Sequence, residues 1–273
     1  MSKVIFSVVA LAVSFFLALA HSPVYDVKIV PEVCQKMPPV RSNYTPLGTT
    51  YKIGDMDVYE SPYNSSSSQV LIFVYDIFGF HDNTKQAADI LAAEGDFRIV
   101  MPDYFRGQPF PSENFPPSDP NDVQRFFADH GWNDHVRNDT ELVLDYFKRL
   151  TNQTKFGIFG ICWGGKMSVG AATDLSEIGV SALVHPSSVT TDEANFVKAP
   201  MYLMPSMSEP DMVPFYNILR TKLGEDNCGH RRFDNVAHGF MGARSNYSNP
   251  DQVAAVNETL SLINTFFHKE LRN

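Results

Sequence analysis

The chain has 273 residues, of which 44% are apolar and 19% charged, so it holds enough apolar side chain for a large core, and disorder over most of its length is excluded. The formal charge of -9 argues against nucleic-acid binding, because phosphate contacts need a cationic face. Three cysteines without C-x-x-C spacing form neither a disulfide scaffold nor a zinc cluster, and we expect no metal and no cofactor.

The N-terminus has the pattern of a secretory signal peptide. Residues 1–20 place one lysine before an apolar run that ends in Ala18-Leu19-Ala20, a small-x-small cleavage pattern. We expect cleavage there, secretion, and no stable membrane insertion afterwards; a signal anchor is the alternative. Residues 21–50 are rich in proline and lack periodicity, so they are expected to form an extended arm ahead of one domain at 51–273.

Six N-x-S/T sequons agree with a secreted glycoprotein. A single sequon is weak support, but six behind a signal peptide indicate glycosylation, and glycosylated asparagines must lie on the surface. The six asparagines are Asn43, Asn64, Asn138, Asn152, Asn246 and Asn257.

Short apolar segments alternate with helical ones from residue 70 to the C-terminus. The segment 51–60 predicts a hairpin around Gly54-Asp55, and the proline-rich segment 108–121 predicts a long surface loop. Strands are predicted at 70–75, 97–101, 156–159, 180–184, 201–204 and 232–236. Helices are predicted at 85–94, 139–150, 166–172 and 251–271. Alternating strands and helices predict an α/β fold with a mostly parallel central sheet and helices on both faces.

A G-x-C-x-G motif lies between a predicted strand and a predicted helix. Cys162 occupies the position of the serine in a G-x-S-x-G nucleophile elbow, where flanking glycines relieve clashes across a sharp turn. A helix N-terminus favours the thiolate form, which is the reactive form of cysteine. The N–H of Trp163 is then an expected oxyanion donor. The alternative is that Cys162 is a small buried core residue.

An elbow nucleophile needs a histidine and an acid, in the chain order nucleophile, acid, histidine. His238 follows the last predicted strand, where a loop histidine would face the elbow, whereas His230 and His268 are expected at the surface. His185 follows a strand as well and either lines the pocket or caps a loop.

The loop after the strand 201–204 supplies two candidates for the acid. Asp211 and Glu209 both lie in this loop. Asp211 precedes Val213-Pro214, which resembles a helix start, so a helix N-cap is the alternative role for Asp211.

Four motifs in this order resemble the dienelactone hydrolase family from about residue 44 to the C-terminus. They are Y-D-I-F-G-F at 75–80, M-P-D-Y-F-R-G at 101–107, G-I-C-W-G-G-K at 160–166 and A-H-G-F at 237–240. The amino acids at these motifs are similar to those of the eukaryotic branch of the family, which is common in fungi. The resemblance implies an α/β-hydrolase fold and a Cys-His-Asp triad of Cys162, His238 and Asp211.

The same resemblance implies roles for further residues. The oxyanion donors would be the amides of Trp163 and Ile77. Asp76 would engage the resting thiol, at a position where bacterial members carry the longer Glu. Carried over by motif, the substrate-binding residues would be Arg106, Arg244 and Tyr104.

These observations predict a secreted hydrolase of carboxylic esters or lactones that forms a thioester acyl-enzyme. The expected partner is a small-molecule ester or lactone, and the chain is expected to be a monomer or a small homo-oligomer. One alternative is a catalytically silent secreted glycoprotein of the same fold that acts in binding. Another is a thiol-redox protein, although the chain has no C-x-x-C motif.

Cysteine parity predicts one disulfide. The mechanism needs Cys162 free, and paired thiols in an oxidising compartment persist as disulfides. We therefore predict a bond between Cys34 and Cys228 that ties the arm to the domain; the alternative is two unrelated buried thiols.

Overall fold

A computed structural model describes residues 36–64, 69–119 and 121–271. The predicted signal peptide lies outside the described residues. Residues 36–48 of the predicted arm run along the domain without regular secondary structure, and the first strand begins at Thr49.

The described chain forms one eight-stranded sheet flanked by helices. Its strands are β1 (Thr49–Ile53), β2 (Met56–Glu60), β3 (Val70–Val74), β4 (Arg98–Pro102), β5 (Phe156–Ile161), β6 (Ile178–Val184), β7 (Met201–Met204) and β8 (Cys228–His230). Its α-helices are α1 (Asp82–Gly95), α2 (Asn121–Asp129), α3 (Arg137–Thr151), α4 (Trp163–Asp174), α5 (Val213–Leu223) and α6 (Pro250–Leu271). A π-helical turn covers Trp132–Val136, and 3₁₀ turns cover Ser112–Asn114, Thr191–Asn195 and Glu225–Asn227.

The strand order is β1-β2-β4-β3-β5-β6-β7-β8. β1 and β2 form the predicted hairpin, and β2 joins β4 in an antiparallel pair. All other neighbouring strands are parallel. The mostly parallel α/β sheet is therefore confirmed, and the carboxyl ends of β3, β5, β6 and β7 meet at one edge, where ligands bind in open α/β sheets.

Burial explains why the central strands were visible in the sequence. Every residue of β3 and of β5 is buried, as expected for strands covered by helices on both faces. The predicted strand at 232–236 is wrong, since the chain there forms only an isolated bridge between Phe233 and Ser206, and β8 lies earlier. β8 has three residues and includes Gly229, which gives it little apolar pattern.

Helix α4 carries a buried ion pair that supports the elbow. The Lys166 Nζ lies 2.5 Å from Glu193 Oε1, with side chains 2% and 10% exposed. Glu193 also accepts a hydrogen bond from the N–H of Thr190, which fixes the loop beside α4. Removing the lysine would leave a carboxylate buried without its cation.

We expect Lys166→Met to lower the free energy of unfolding by about 3–5 kcal/mol, because breaking a buried pair from one side leaves an uncompensated charge. Lys148→Met is the matched control. Its Nζ also lies 2.5 Å from a carboxylate oxygen, that of Glu177, but the two side chains are 33% and 29% exposed. The control substitution should lower the free energy of unfolding by about 1 kcal/mol or less. Urea unfolding measures both, and equal losses would contradict the expectation.

Candidate active site

Cys162 lies on a strained turn between β5 and α4. Its backbone has φ 52° and ψ -118°, a conformation that residues other than glycine rarely adopt. The residue is 1% exposed. Such strain costs about 1–3 kcal/mol and is found mainly at functional sites. A Cβ on Gly160 would lie 1.9 Å from the carbonyl oxygen of Gly164, and one on Gly164 would lie 2.2 Å from that of Val74. Both glycines of the motif are therefore required by the close approach of backbone.

Two buried side chains complete a chain of contacts from the thiol. The imidazole of His238 is hydrogen-bonded to the Cys162 side chain. Its Nδ1 lies 2.7 Å from Oε1 of Glu209. His238 and Glu209 are 1% and 4% exposed, so the three groups interact out of water.

The structure corrects the assignment of the acid. Asp211 is exposed, and its Oδ1 accepts the N–H of Val213, the first residue of α5; the N-cap of that helix is Met212, so Asp211 lies one residue before the capping position weighed as its alternative. Glu209 points inward because its Oε2 accepts the N–H of Ser206, which closes the turn after β7. Glu209, not Asp211, therefore orients His238.

Electrostatics favour a charged pair at the thiol. Burial lowers the pKa of His238, but the Cys162 thiolate and the Glu209 carboxylate outweigh it and raise the pKa to about 9. Burial raises the pKa of Glu209, and its hydrogen bond to His238 reverses this and lowers it. The arrangement therefore stabilises imidazolium between two negative groups.

Asp76 is buried in the loop after β3. Its carboxylate accepts the N–H groups of Phe78 at 3.0 Å and Ala243 at 2.9 Å. Burial, followed by the negative charge of Cys162, raises the pKa of Asp76 to about 6. Asp76 thus joins the loop after β3 to the loop after His238 within electrostatic reach of the thiol.

The two expected oxyanion amides belong to α4 and to the loop after β3. Trp163 is the first residue of α4, so its N–H is among those without an intrahelical acceptor. Ile77 directly follows Asp76 in the loop after β3 and is fully buried.

Two residues after β6 belong to the site and were missed or left open in the sequence. Ser187 Oγ lies 3.4 Å from the Cys162 Sγ, and its N–H donates to the Cys162 carbonyl oxygen. His185 is fully buried, with its ring 4.9 Å from that of His238. Both residues follow the carboxyl end of β6, the strand next to β5, and this position could have identified them from the sequence.

Two of the expected substrate-binding residues, Arg106 and Tyr104, line one cavity of about 630 Å³ and are also held by contacts within the protein. The Arg106 guanidinium donates to both carboxylate oxygens of Asp139, at 2.9 and 2.8 Å, and also to Asp55. Two carboxylates thus already neutralise Arg106. Tyr104 is fully buried, and its hydroxyl lies 3.0 Å from Oγ1 of Thr140. Their expected role in substrate binding stays a prediction.

Arg244 does lie at the site. Its positive charge lowers the pKa of Asp76, and its guanidinium lies 5.2 Å from the ring centroids of Phe78 and Phe115. Its Nε donates to the carbonyl oxygen of Met37, so the described part of the arm packs against the loop that follows His238.

An apolar cavity of about 420 Å³ adjoins Glu209. Pro186, Val189, Met212 and Phe215 contribute apolar surface to it, and none of its lining residues within the described ranges is Lys or Arg. The cavity lies between the loop after β6 and the start of α5, next to the residues that contact Cys162.

The described residues include all six sequon asparagines but only one of the two cysteines of the predicted disulfide. The sequon asparagines are exposed except Asn246, which is half-buried. Cys228 is a buried thiol with its Sγ 3.4 Å from the carbonyl oxygen of Gly224. Cys34 lies outside the described residues, so its pairing with Cys228 stays a prediction.

Within 36–64, 69–119 and 121–271, no group of three or more His, Cys, Asp and Glu side chains is placed to hold a metal ion. None of the helices in these ranges has the length and apolar character needed to cross a bilayer.

Known proteins share both the sequence pattern and the fold. A carboxymethylenebutenolidase homologue of Xenopus tropicalis is 26% identical over 83% of this chain and 92% of its own length. A dienlactone hydrolase of Gibberella moniliformis is 28% identical over 77% of this chain and 83% of its own. A Klebsiella pneumoniae protein assigned to the dienelactone hydrolases superposes with a TM-score of 0.61 at 18% identity, covering 78% of this chain and 96% of that one. This likeness shows the shared fold.

The family model named dienelactone hydrolase family matches residues 56–271, which include the elbow, Glu209 and His238. The predicted resemblance is thereby confirmed: the chain belongs to the dienelactone hydrolase family and is a hydrolase of the carboxylic ester and lactone type.

Proposed function

We propose that the protein hydrolyses carboxylic esters or lactones through a thioester on Cys162, with His238 as proton carrier and Glu209 as the acid that orients it. The buried chain of contacts from Cys162 through His238 to Glu209, on a strained elbow, carries the proposal. Its order along the chain is nucleophile, acid, histidine, which is the order of α/β-hydrolase triads.

Acylation begins from the thiolate–imidazolium pair. The thiolate attacks the ester carbonyl carbon, and the imidazolium of His238 gives its proton to the departing alkoxide. Glu209 keeps the Nδ1 proton of His238 in place, so Nε2 is the nitrogen that exchanges protons at the reaction centre. The products of this half-reaction are the free alcohol, neutral His238 and the thioester.

The negative charge that develops on the carbonyl oxygen needs donors fixed in advance. We assign this role to the amides of Trp163 and Ile77, each worth roughly 3 kcal/mol in comparable sites. The Asp76 carboxylate holds the loop that carries Ile77 through its bond to the N–H of Phe78. We assign to Asp76 a second role, which is to bias the resting thiol electrostatically.

The surroundings favour a neutral, partly apolar substrate. Arg106 is neutralised by Asp139 and Asp55, so it offers no free cation for a substrate carboxylate. The cavity beside Glu209 has mostly apolar walls and a volume within the range of small-molecule pockets. We propose that it accepts the apolar part of an ester.

Hydrolysis is expected to decline as the pH rises through about 9, the pKa to which His238 is raised. A raised pKa keeps the imidazolium protonated over the neutral range, and its loss above that value removes the proton that the leaving alcohol needs. The measurement is the pH dependence of kcat/KM. Cys162→Ala removes one of the negative charges, so histidine NMR should find a lower pKa for His238 in that variant. An alkaline limb that is absent, or a His238 pKa that Cys162→Ala leaves unchanged, would argue against the ion pair.

We also propose that the protein acts outside the cell or in the lumen of the secretory pathway. Residues 1–20 have the signal-peptide pattern, and exposed sequon asparagines support glycosylation. A secreted family member would act on small esters or lactones outside the cell.

A panel of aryl esters, alkyl esters and lactones tests the proposed activity directly. The mature protein should hydrolyse members of the panel, and iodoacetamide should abolish the hydrolysis by alkylating Cys162. Hydrolysis that resists iodoacetamide would contradict a thiol nucleophile, and a panel without any turnover would favour a silent binding protein.

A further inference from the structure

His185 is a buried polar residue that the proposed acylation step does not use. It follows β6 with a positive φ of 35°, and its N–H donates to the carbonyl oxygen of Met204 at 2.9 Å. The side chain is fully buried, and within the described residues neither ring nitrogen has a hydrogen-bond partner.

Two ring nitrogens without hydrogen-bond partners in the protein interior indicate that a polar ligand binds beside them. A neutral imidazole carries one donor and one acceptor, and buried groups of this kind are nearly always paired with protein or with ordered water. Burial and the neighbouring charge of His238 lower the pKa of His185 to about 3, so it stays neutral across the physiological range. It can therefore orient a polar molecule without competing for the proton.

The surroundings of His185 locate that ligand at the reaction centre. Its ring meets the ring of His238 at 4.9 Å, edge to face, and interacts electrostatically with Cys162. Ser187, two residues on, contacts the Cys162 Sγ. Residues 185–187 thus form the wall of the site on the β6 side, next to the two groups that change their charge during turnover.

We propose that His185 binds the water molecule that hydrolyses the acyl-enzyme and holds it against His238. The inference rests on the proposed thioester mechanism and assigns a residue to its second half. Water is the polar reactant that enters after the alcohol leaves.

The step balances as follows. The water oxygen attacks the thioester carbonyl carbon, and one water proton passes to Nε2 of neutral His238. The tetrahedral intermediate then collapses, the carbon–sulfur bond breaks, and the electron pair returns to sulfur. The products are the carboxylic acid and the resting thiolate–imidazolium pair. His185 keeps its protonation state throughout.

His185→Phe tests the proposal, because it keeps a ring in the same space and removes both nitrogens. With a p-nitrophenyl ester, the rapid release of p-nitrophenol that reports acylation should stay within about threefold of the wild type. The steady-state rate should fall roughly tenfold to a hundredfold, the loss expected for one hydrogen bond to a reacting group. His185→Gln, which restores a donor and an acceptor, should recover part of the steady-state rate.

Phe240→Leu is the matched packing control, since its ring lies 5.3 Å from that of His185 and carries no polar group. It should leave the ratio of burst rate to steady-state rate as in the wild type. Added hydroxylamine, which attacks the thioester without the bound water, should speed turnover of His185→Phe more than that of the wild type.

Two results would overturn the inference. One is a steady-state rate of His185→Phe within twofold of the wild type, and the other is an equal fall of burst and steady-state rates. Should His185→Phe not fold, His185→Leu, which also lacks both nitrogens, takes its place in the same comparison. Failure of the wild type to acylate Cys162 at all would instead refute the proposed function, which is a distinct outcome.

Discussion

Cys162→Ala is expected to lower kcat/KM for any accepted ester by a factor of roughly a hundred thousand to a million, the size seen when the nucleophile of a comparable triad is removed. The thiol is the atom that forms the covalent intermediate, so no neighbouring group replaces it. The fold should persist, because alanine removes a single buried sulfur from a backbone turn fixed by Gly160 and Gly164. Steady-state kinetics and circular dichroism measure the two expectations.

Cys228→Ala is the matched control for Cys162→Ala. It removes the other described cysteine, which is also buried but sits beside Gly224, away from the elbow. Its turnover should match the wild type within about twofold, as expected for a site that takes no part in the chemistry. Comparable losses in the two variants would show that Cys162 is only a structural thiol.

Glu209→Gln is expected to cost roughly a thousandfold to ten-thousandfold in kcat/KM, as when the acid of a triad is replaced by its amide. The carboxylate accepts both the Nδ1 proton of His238 and the N–H of Ser206. An amide has one oxygen for these two donors, so its NH₂ group must face one of them. The result is a wrongly oriented or wrongly protonated imidazole.

Asp211→Asn should leave kcat/KM within about threefold of the wild type. Its side chain is exposed and accepts the N–H of Val213 at the start of α5, a contact that asparagine can also make. The pair of variants therefore separates the two acidic residues of this loop. A severe loss in Asp211→Asn with a mild one in Glu209→Gln would reverse the assignment.

The sequence predicted the site best where the backbone dictates residue types. The elbow at Cys162 was visible because a Cβ on either of its glycines would lie only about 2 Å from a neighbouring carbonyl oxygen, so glycine is required there. The buried strand β3 was visible because a strand covered on both faces is apolar throughout. His238 was found because it follows the apolar segment 232–236, although that segment forms only an isolated bridge and not the predicted strand.

The errors concern side chains whose direction is set by tertiary contacts. Glu209 and Asp211 are two residues apart in one irregular loop, and only the bond from Ser206 shows which one turns inward. The partners of Arg106 could not be predicted either: Asp139 from α3 and Asp55 from the β1–β2 turn neutralise its charge, and sequence spacing does not show these contacts. β8 was misplaced because three residues carry too little periodicity.

The most direct test of the thioester mechanism is mass spectrometry of the protein mixed with p-nitrophenyl butyrate and quenched in acid. The intact mass should rise by one butyryl group, peptide mapping should place that group on Cys162, and hydroxylamine should remove it. Cys162→Ala should show neither the adduct nor turnover. An acyl group on another residue, or full turnover by Cys162→Ala, would contradict the mechanism.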